Sequence, residues 1–154
     1  NILTYGTNDN LTRGQMAVVL SKSFSIQPVV PTGIFTDVSA SDMFAPYIEA
    51  IYLKGITSGC SISPKMFCPT GFVTNSQMSV FVYRAWKENN SSLELYNPSV
   101  QTYSDVPVTH WTFQYFETLS KEGVKWYCYL NNMCPENNIK RSEISHIINF
   151  ILSK

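Results

Sequence analysis

Charge is scarce in this chain: Asp, Glu, Lys and Arg supply 14% of its 154 residues, against roughly 25% in an average soluble protein. Eleven basic residues cancel eleven acidic ones. Binding to nucleic acid needs a basic surface that displaces counterions from phosphates, and none is encoded, so no nucleic-acid partner is expected. Long apolar runs are missing too; none approaches the roughly 20 residues needed to cross a bilayer, so no membrane insertion is expected. There are only two histidines, His110 and His146, which fall in different segments. No serine sits in a nucleophile-elbow pattern and no glycine-rich phosphate loop occurs, so the chain is read as non-enzymatic and without a cofactor.

What is present is repetition. Phe35-Thr36-Asp37-Val38 returns as Tyr103-Ser104-Asp105-Val106, and a shift of 68 residues also superposes Tyr47 on Tyr115, Ile51 on Leu119, Gly55 on Gly123 and Cys60 on Cys128. Beyond the cysteine, a shift of 66 pairs Val73 with Ile139, Gln77 with Glu143 and Met78 with Ile144. A partial copy opens the chain, where Leu11-Thr12-Arg13-Gly14-Gln15-Met16 matches Val73-Thr74-Asn75-Ser76-Gln77-Met78. The units are residues 1–27, 34–88 and 102–154 of one domain. Pro-, Asn- and Ser-rich linkers at 25–33 and 87–102 separate them, because a two-helix unit cannot bury its apolar stripe alone.

Each full copy reads as helix, loop, helix. Tyr47, Ile48 and Ile51 recur as Tyr115, Phe116 and Leu119, an i, i+1, i+4 pattern that gathers on one helical face. Gly55 and Gly123 follow the last turn, where a residue lacking Cβ favours the left-handed stop. The second helices carry a stripe of Met16, Val19, Leu20 and Phe24, then Met78, Phe81, Val82 and Trp86, then Ile144, Ile147, Ile148 and Leu152. Thr12 with Gln15, and Thr74 with Gln77, form capping boxes. Lys140 replaces the threonine before Glu143, so that helix start is expected to be less well fixed.

The chain opens inside a repeat, without a first helix for copy one. Two readings stay open: a fragment of a larger parent chain, or a matured subunit whose helix a protein neighbour supplies. In either case Met16, Val19 and Leu20 are expected to need a cover. The four cysteines fall two per complete copy, and repeat symmetry favours Cys60 with Cys68 and Cys128 with Cys134. Their spacing is longer than zinc thiolates normally use, so no metal site is expected. Disulfides place the chain in an oxidising location outside the cytoplasm. Its uncharged polar surface, expected to be largely Asn, Ser, Thr and Gln with tyrosines, suits glycans or permanent protein neighbours.

These motifs carry a resemblance. Phe35-Thr36-Asp37-Val38, Gly55-Ile56-Thr57-Ser58-Gly59-Cys60, Phe67-Cys68-Pro69 and Val73-Thr74-Asn75-Ser76-Gln77-Met78 with Val80 to Arg84 resemble the bacterial S-layer homology (SLH) repeat. Copy three resembles it through Tyr103 to Pro107, His110-Trp111, Gly123 and Lys140 to Glu143; copy one through Asn8 to Gln15. The cysteine-bearing loop is similar to a variant common in Gram-negative bacteria. The resemblance implies an all-α, pseudo-threefold spindle of helix-loop-helix repeats at the cell surface or cell envelope. Its second helices would meet centrally and its first helices would form prongs.

It also implies grooves between prongs that bind cell-envelope polysaccharide, often one carrying a pyruvate ketal, through an arginine at the second helix start. That arginine corresponds to Arg13 and Arg141, with Asn75 in copy two. The loop glycine corresponds to Gly59, with Tyr127 in copy three. The aromatic position is Trp111, where copy two has Met43. One or two complete grooves are therefore expected. The functional reading is a non-catalytic module that anchors a surface protein to the envelope; the alternative is a structural subunit of an S-layer, sheath or filament. Outside the resemblance, either arginine could make an ordinary ion pair. Asp37 and Asp105 read as turn or capping residues, and Trp111, Trp126 and Tyr127 as sugar platforms or core anchors.

Overall fold

Thr12 and Thr74 start their helices by reciprocal bonding. Thr12 Oγ1 accepts the Gln15 N–H at 3.3 Å while Gln15 Oε1 accepts the Thr12 N–H at 3.1 Å; Thr74 and Gln77 repeat this at 3.2 and 3.4 Å. The computed structural model describes residues 6–126, 128 and 132–154. Within them lie α1 (Arg13–Ser23), α2 (Ala45–Leu53), a hairpin of β1 (Ser61–Ile62) and β2 (Lys65–Met66), α3 (Asn75–Asn89), α4 (Phe113–Lys121) and α5 (Arg141–Leu152). At α5 only half of the box exists: Glu143 accepts the Lys140 N–H at 2.7 Å, and an ammonium has no lone pair to return. None of these helices is long and apolar enough to cross a membrane.

The short helices α2 and α4 stop alike. Gly55 and Gly123 take φ of +69° and +86°. Ile56 N–H then reaches Ile51 O and Val124 N–H reaches Leu119 O, both at 2.9 Å, which closes a Schellman motif on each.

Three backbone bonds join the copies into a closed cycle. Leu11 N–H donates to Ile139 O at 2.9 Å, Ile139 N–H to Val73 O at 2.9 Å, and Val73 N–H to Leu11 O at 3.0 Å. The helix starts beside this ring are capped by neighbouring loops. Arg13 and Gly14 donate to Gly71 O and Pro69 O, Asn75 and Ser76 to Asn137 O and Pro135 O, and Arg141 and Ser142 to Asp9 O and Thr7 O, all at 2.8–3.1 Å. Each second helix therefore has two otherwise orphaned N–H groups satisfied by another copy.

The stripes fill one core that contains Met16, Leu20, Phe24, Met78, Val82, Ile144, Ile147 and Ile148. Two expectations change. Leu152 is 56% exposed and Ile151 is buried in its place, since 144, 147, 148 and 151 share one face and the next residue turns outward. Met16 and Leu20 need no external cover: both are fully buried within the chain, and only Val19 stays half-buried. The reason is that α1 packs on α2 of the next copy at close range. A Cβ at Gly14 would stand 2.7 Å from the Phe44 ring. Likewise α3 meets α4, with Tyr83 edge-on to Tyr115 at 5.4 Å.

The linkers are tied down by two buried carboxylates at equivalent positions. Glu49 accepts N–H bonds from Thr32, Gly33 and Ile34 and the Thr32 hydroxyl at 2.8–3.0 Å. Glu117 accepts the Thr102 N–H and hydroxyl at 2.7 Å. The second linker is also shorter than read from sequence, because α3 continues through Asn89.

Candidate functional site

The disulfide loop of copy two is held from both sides. Cys60 is bonded to Cys68 and Cys128 to Cys134, with Cα atoms 6.0 Å apart in each pair. Asp37 accepts the Phe67 and Cys68 N–H groups at 2.8 and 2.6 Å, and Asp105 does the same for Met133 and Cys134 at 3.0 and 2.7 Å. The two aspartates are therefore loop clamps, a structural role of longer reach than a turn or a cap.

Arg13 enters this loop from the start of α1. It is 5% exposed, its Nε donates to Phe67 O at 2.7 Å, and its guanidinium lies 4.9 Å from the Phe67 ring centroid and 5.6 Å from that of Phe81. Asn75 does the equivalent work one copy on, donating to Met133 O and Cys134 O at 3.0 Å. Unlike an ordinary ion-paired arginine, Arg13 has no carboxylate bonded to it among the described residues, and its buried Nη2 has no partner. Burial pulls its pKa below the usual arginine value and the Asp37 charge opposes that pull. The group stays protonated, because arginine starts so high.

A pocket of about 240 Å³ opens beside it. Arg13, Gly59 and Trp111 all line it, together with Gln77, Phe81 and Arg84. Three sequence-named positions from three copies thus converge. Gly59 has φ of +100°, and a Cβ there would stand 2.4 Å from Met66 O, so only glycine fits this wall. Trp111 is 61% exposed, with its ring 6.2 Å from that of His110. His110 Nδ1 accepts from Thr112, which leaves Nε2 toward Glu136 at 3.7 Å.

Arg141 lies elsewhere, in a second pocket of about 280 Å³ with Gln15, Val18, Val19, Met43 and Phe44. Gln15 stands for Gln77 there, Val19 for Phe81 and Met43 for Trp111, so the same frame carries an apolar lining. Arg141 Nη1 is 3.7 Å from Asp9 Oδ2, the ion pair that sequence left open. Trp126 packs edge-on to Phe116 at 5.4 Å as a core anchor, and Tyr127 lies outside the described residues.

Arg84 and Gln77 are groove residues that the motif reading did not select. Their signal was available: seven residues separate them, which places both on one face of α3.

Residues 34–78, from before Asp37 through the clamped loop to the start of α3, match the family model of the S-layer homology domain. Segment 34–78 carries the S-layer homology pattern. It is 26% identical over 151 residues to an amylopullulanase of Thermoanaerobacterium thermosulfurigenes, an alignment that covers 97% of this chain and 8% of that protein. It is 25% identical over 150 residues to the exoglucanase XynX of Acetivibrio thermocellus, covering 97% of this chain and 14% of that one. Most of the length of these two enzymes therefore lies outside the aligned region. The S-layer homology assignment places the chain at the cell surface or outside the cell. Its two disulfides agree with that oxidising setting.

Proposed function

We propose that this S-layer homology domain is a non-catalytic module that anchors a larger surface protein to the cell envelope by binding envelope polysaccharide in the Arg13–Gly59–Trp111 groove. One observation carries the reading: a buried guanidinium whose Nη2 has no partner among the described residues stands in the wall of a pocket whose rim is an exposed tryptophan. An unsatisfied buried donor is costly, and a ligand oxygen relieves it. An exposed aromatic face offers a sugar ring an apolar platform with polar edges around it. The fold that goes with this reading is a pseudo-threefold spindle. Its support is the closed Leu11–Ile139–Val73 cycle and the three helix starts capped by neighbouring loops.

Binding is assigned to one groove. The Arg141 pocket repeats the frame with Met43 in place of the tryptophan and a carboxylate beside its arginine. The alternative, a structural subunit of a surface lattice, loses the argument that Met16 and Leu20 require a neighbour. Co-sedimentation with purified sacculi tests the anchor. Trp111→Ala is expected to reduce binding at least tenfold and Met43→Ala to leave it within twofold. Equal binding by both variants and the wild type would remove the groove from the mechanism.

A further inference from the structure

Resting on the polysaccharide reading, we infer that the groove opens into a longer cleft, along which the same glycan chain runs past the end of α2 to the first linker at residues 25–27. Gln77, Phe81, Arg84 and Glu88 are spaced four, three and four residues apart, so they share one face of α3 and span about 16 Å of it. Three hollows follow that face. The groove of about 240 Å³ shares Arg84 with a second hollow of about 380 Å³, which Lys54, Gly55, Tyr83 and Lys87 also line. The second shares Lys54 and Glu88 with a third of about 470 Å³, which reaches Ser25, Gln27, Leu53 and Asn89.

The lining beyond Arg84 fits neutral sugar rings. Leu53 is 63% exposed and offers an apolar surface to a ring face. The carboxamides of Gln27 and Asn89 supply donors and acceptors for hydroxyls. Charge is balanced here: Lys54 pairs with Glu88 at 2.9 Å, from α2 across to α3, and Lys87 with Glu94 at 2.7 Å.

Copy three closes the equivalent path. Phe150 occupies the position of Arg84, and a Cβ on Gly123 would meet its ring at 3.2 Å, whereas a Cβ on Gly55 would meet no atom of the described residues within 4 Å. The bridging ion pair is kept with its signs exchanged, Glu122 with Lys154 at 3.3 Å. The floor is therefore open in the copy whose α3 leads into the Trp111 groove and roofed by an aromatic ring in the other.

The test is a length series. Polysaccharide released from sacculi is cut by sonication, fractionated by size and titrated against wild type, Gln27→Ala, Lys54→Ala and the double variant of the full chain. Wild type is expected to bind long fragments at least tenfold more tightly than the shortest that bind. The double variant is expected to lose at least fivefold on long fragments and less than twofold on the shortest, with each single variant losing part of that. Both side chains are at the surface and Lys54 gives up only an exposed ion pair, so melting temperatures should stay within about 3 °C of wild type. Equal wild-type affinity for every length, a length gain that the double variant keeps, or an equal loss on short and long fragments overturns the extended cleft and leaves the groove reading in place. Failure of wild type to bind any fragment sinks both.

Discussion

Replacing Glu49 by alanine is the sharpest test of how the first linker is held. The carboxylate accepts four bonds at 2.8–3.0 Å from three consecutive residues, Thr32, Gly33 and Ile34, and is itself 3% exposed. Hydrogen bonds to a charged acceptor contribute about 1.5–3 kcal/mol each when lost without compensation. Thr32 and Gly33 face solvent and regain water in the variant, whereas Ile34 is half-buried. The net destabilisation is therefore placed at about 3 kcal/mol, or about 6–12 °C in melting temperature for a domain of this size. Glu49→Gln keeps one acceptor but turns an NH₂ toward N–H donors, and should fall between the two.

The pH dependence supplies an independent sign. Burial alone would raise the Glu49 pKa, but the hydrogen bonds from Thr32, Ile34 and Gly33 outweigh it and hold the pKa below the usual carboxylate value. A carboxylate depressed on folding contributes stability that is fully present above its unfolded pKa, about 4.3, and is lost as pH falls through the folded value. Thermal melts from pH 7 down to pH 3 should therefore show wild type and Glu49→Gln converging as the pH drops below that of a free glutamate. A Glu49→Ala melt within 1 °C of wild type at pH 7, or a wild-type-to-Gln gap that stays constant with pH, would refute this reasoning.

Gly14→Val should cost more than 2 kcal/mol in chemical denaturation, because a Cβ at that position already meets the Phe44 ring at 2.7 Å and a branched side chain must pry α1 from α2. Asp37→Asn should lower the melting temperature by several degrees, with faster amide exchange at Phe67 and Cys68, whose N–H groups it clamps; Asp105→Asn should do the same at Met133 and Cys134. Gly55→Ala should cost about 1 kcal/mol: no atom of the described residues lies within 4 Å of the added methyl, so the loss reads the φ of +69° alone.

Local signals were legible in the sequence because their partners lie within one helical turn. A threonine and a glutamine three residues apart make a capping box wherever they stand, and the glycines after α2 and α4 stop a helix without reference to the rest of the chain. The repeat register carried the cysteine pairing as well, since each bridge closes a short loop inside one copy. Leu152 marks where that reasoning ends: a stripe fixes which face turns inward, but how far the core extends along it depends on what packs there.

The groove belongs to the other class. Periodicity marked Arg13, Gly59 and Trp111 as repeat positions without joining them, because they come from three copies and meet only after the loops cap one another's helices. Tertiary packing also decided that Arg13 is buried against Phe67 while Arg141 sits beside Asp9, although both occupy the same motif position. It gave Glu49 and Glu117 their linkers to hold, a role invisible to pattern because their donors stand fifteen or more residues away. Sequence alone determined the helices, their start and stop signals and their repeat; the fold decided which arginine kept a buried N–H donor without a partner among the described residues, because burial and counter-charge depend on neighbours in space.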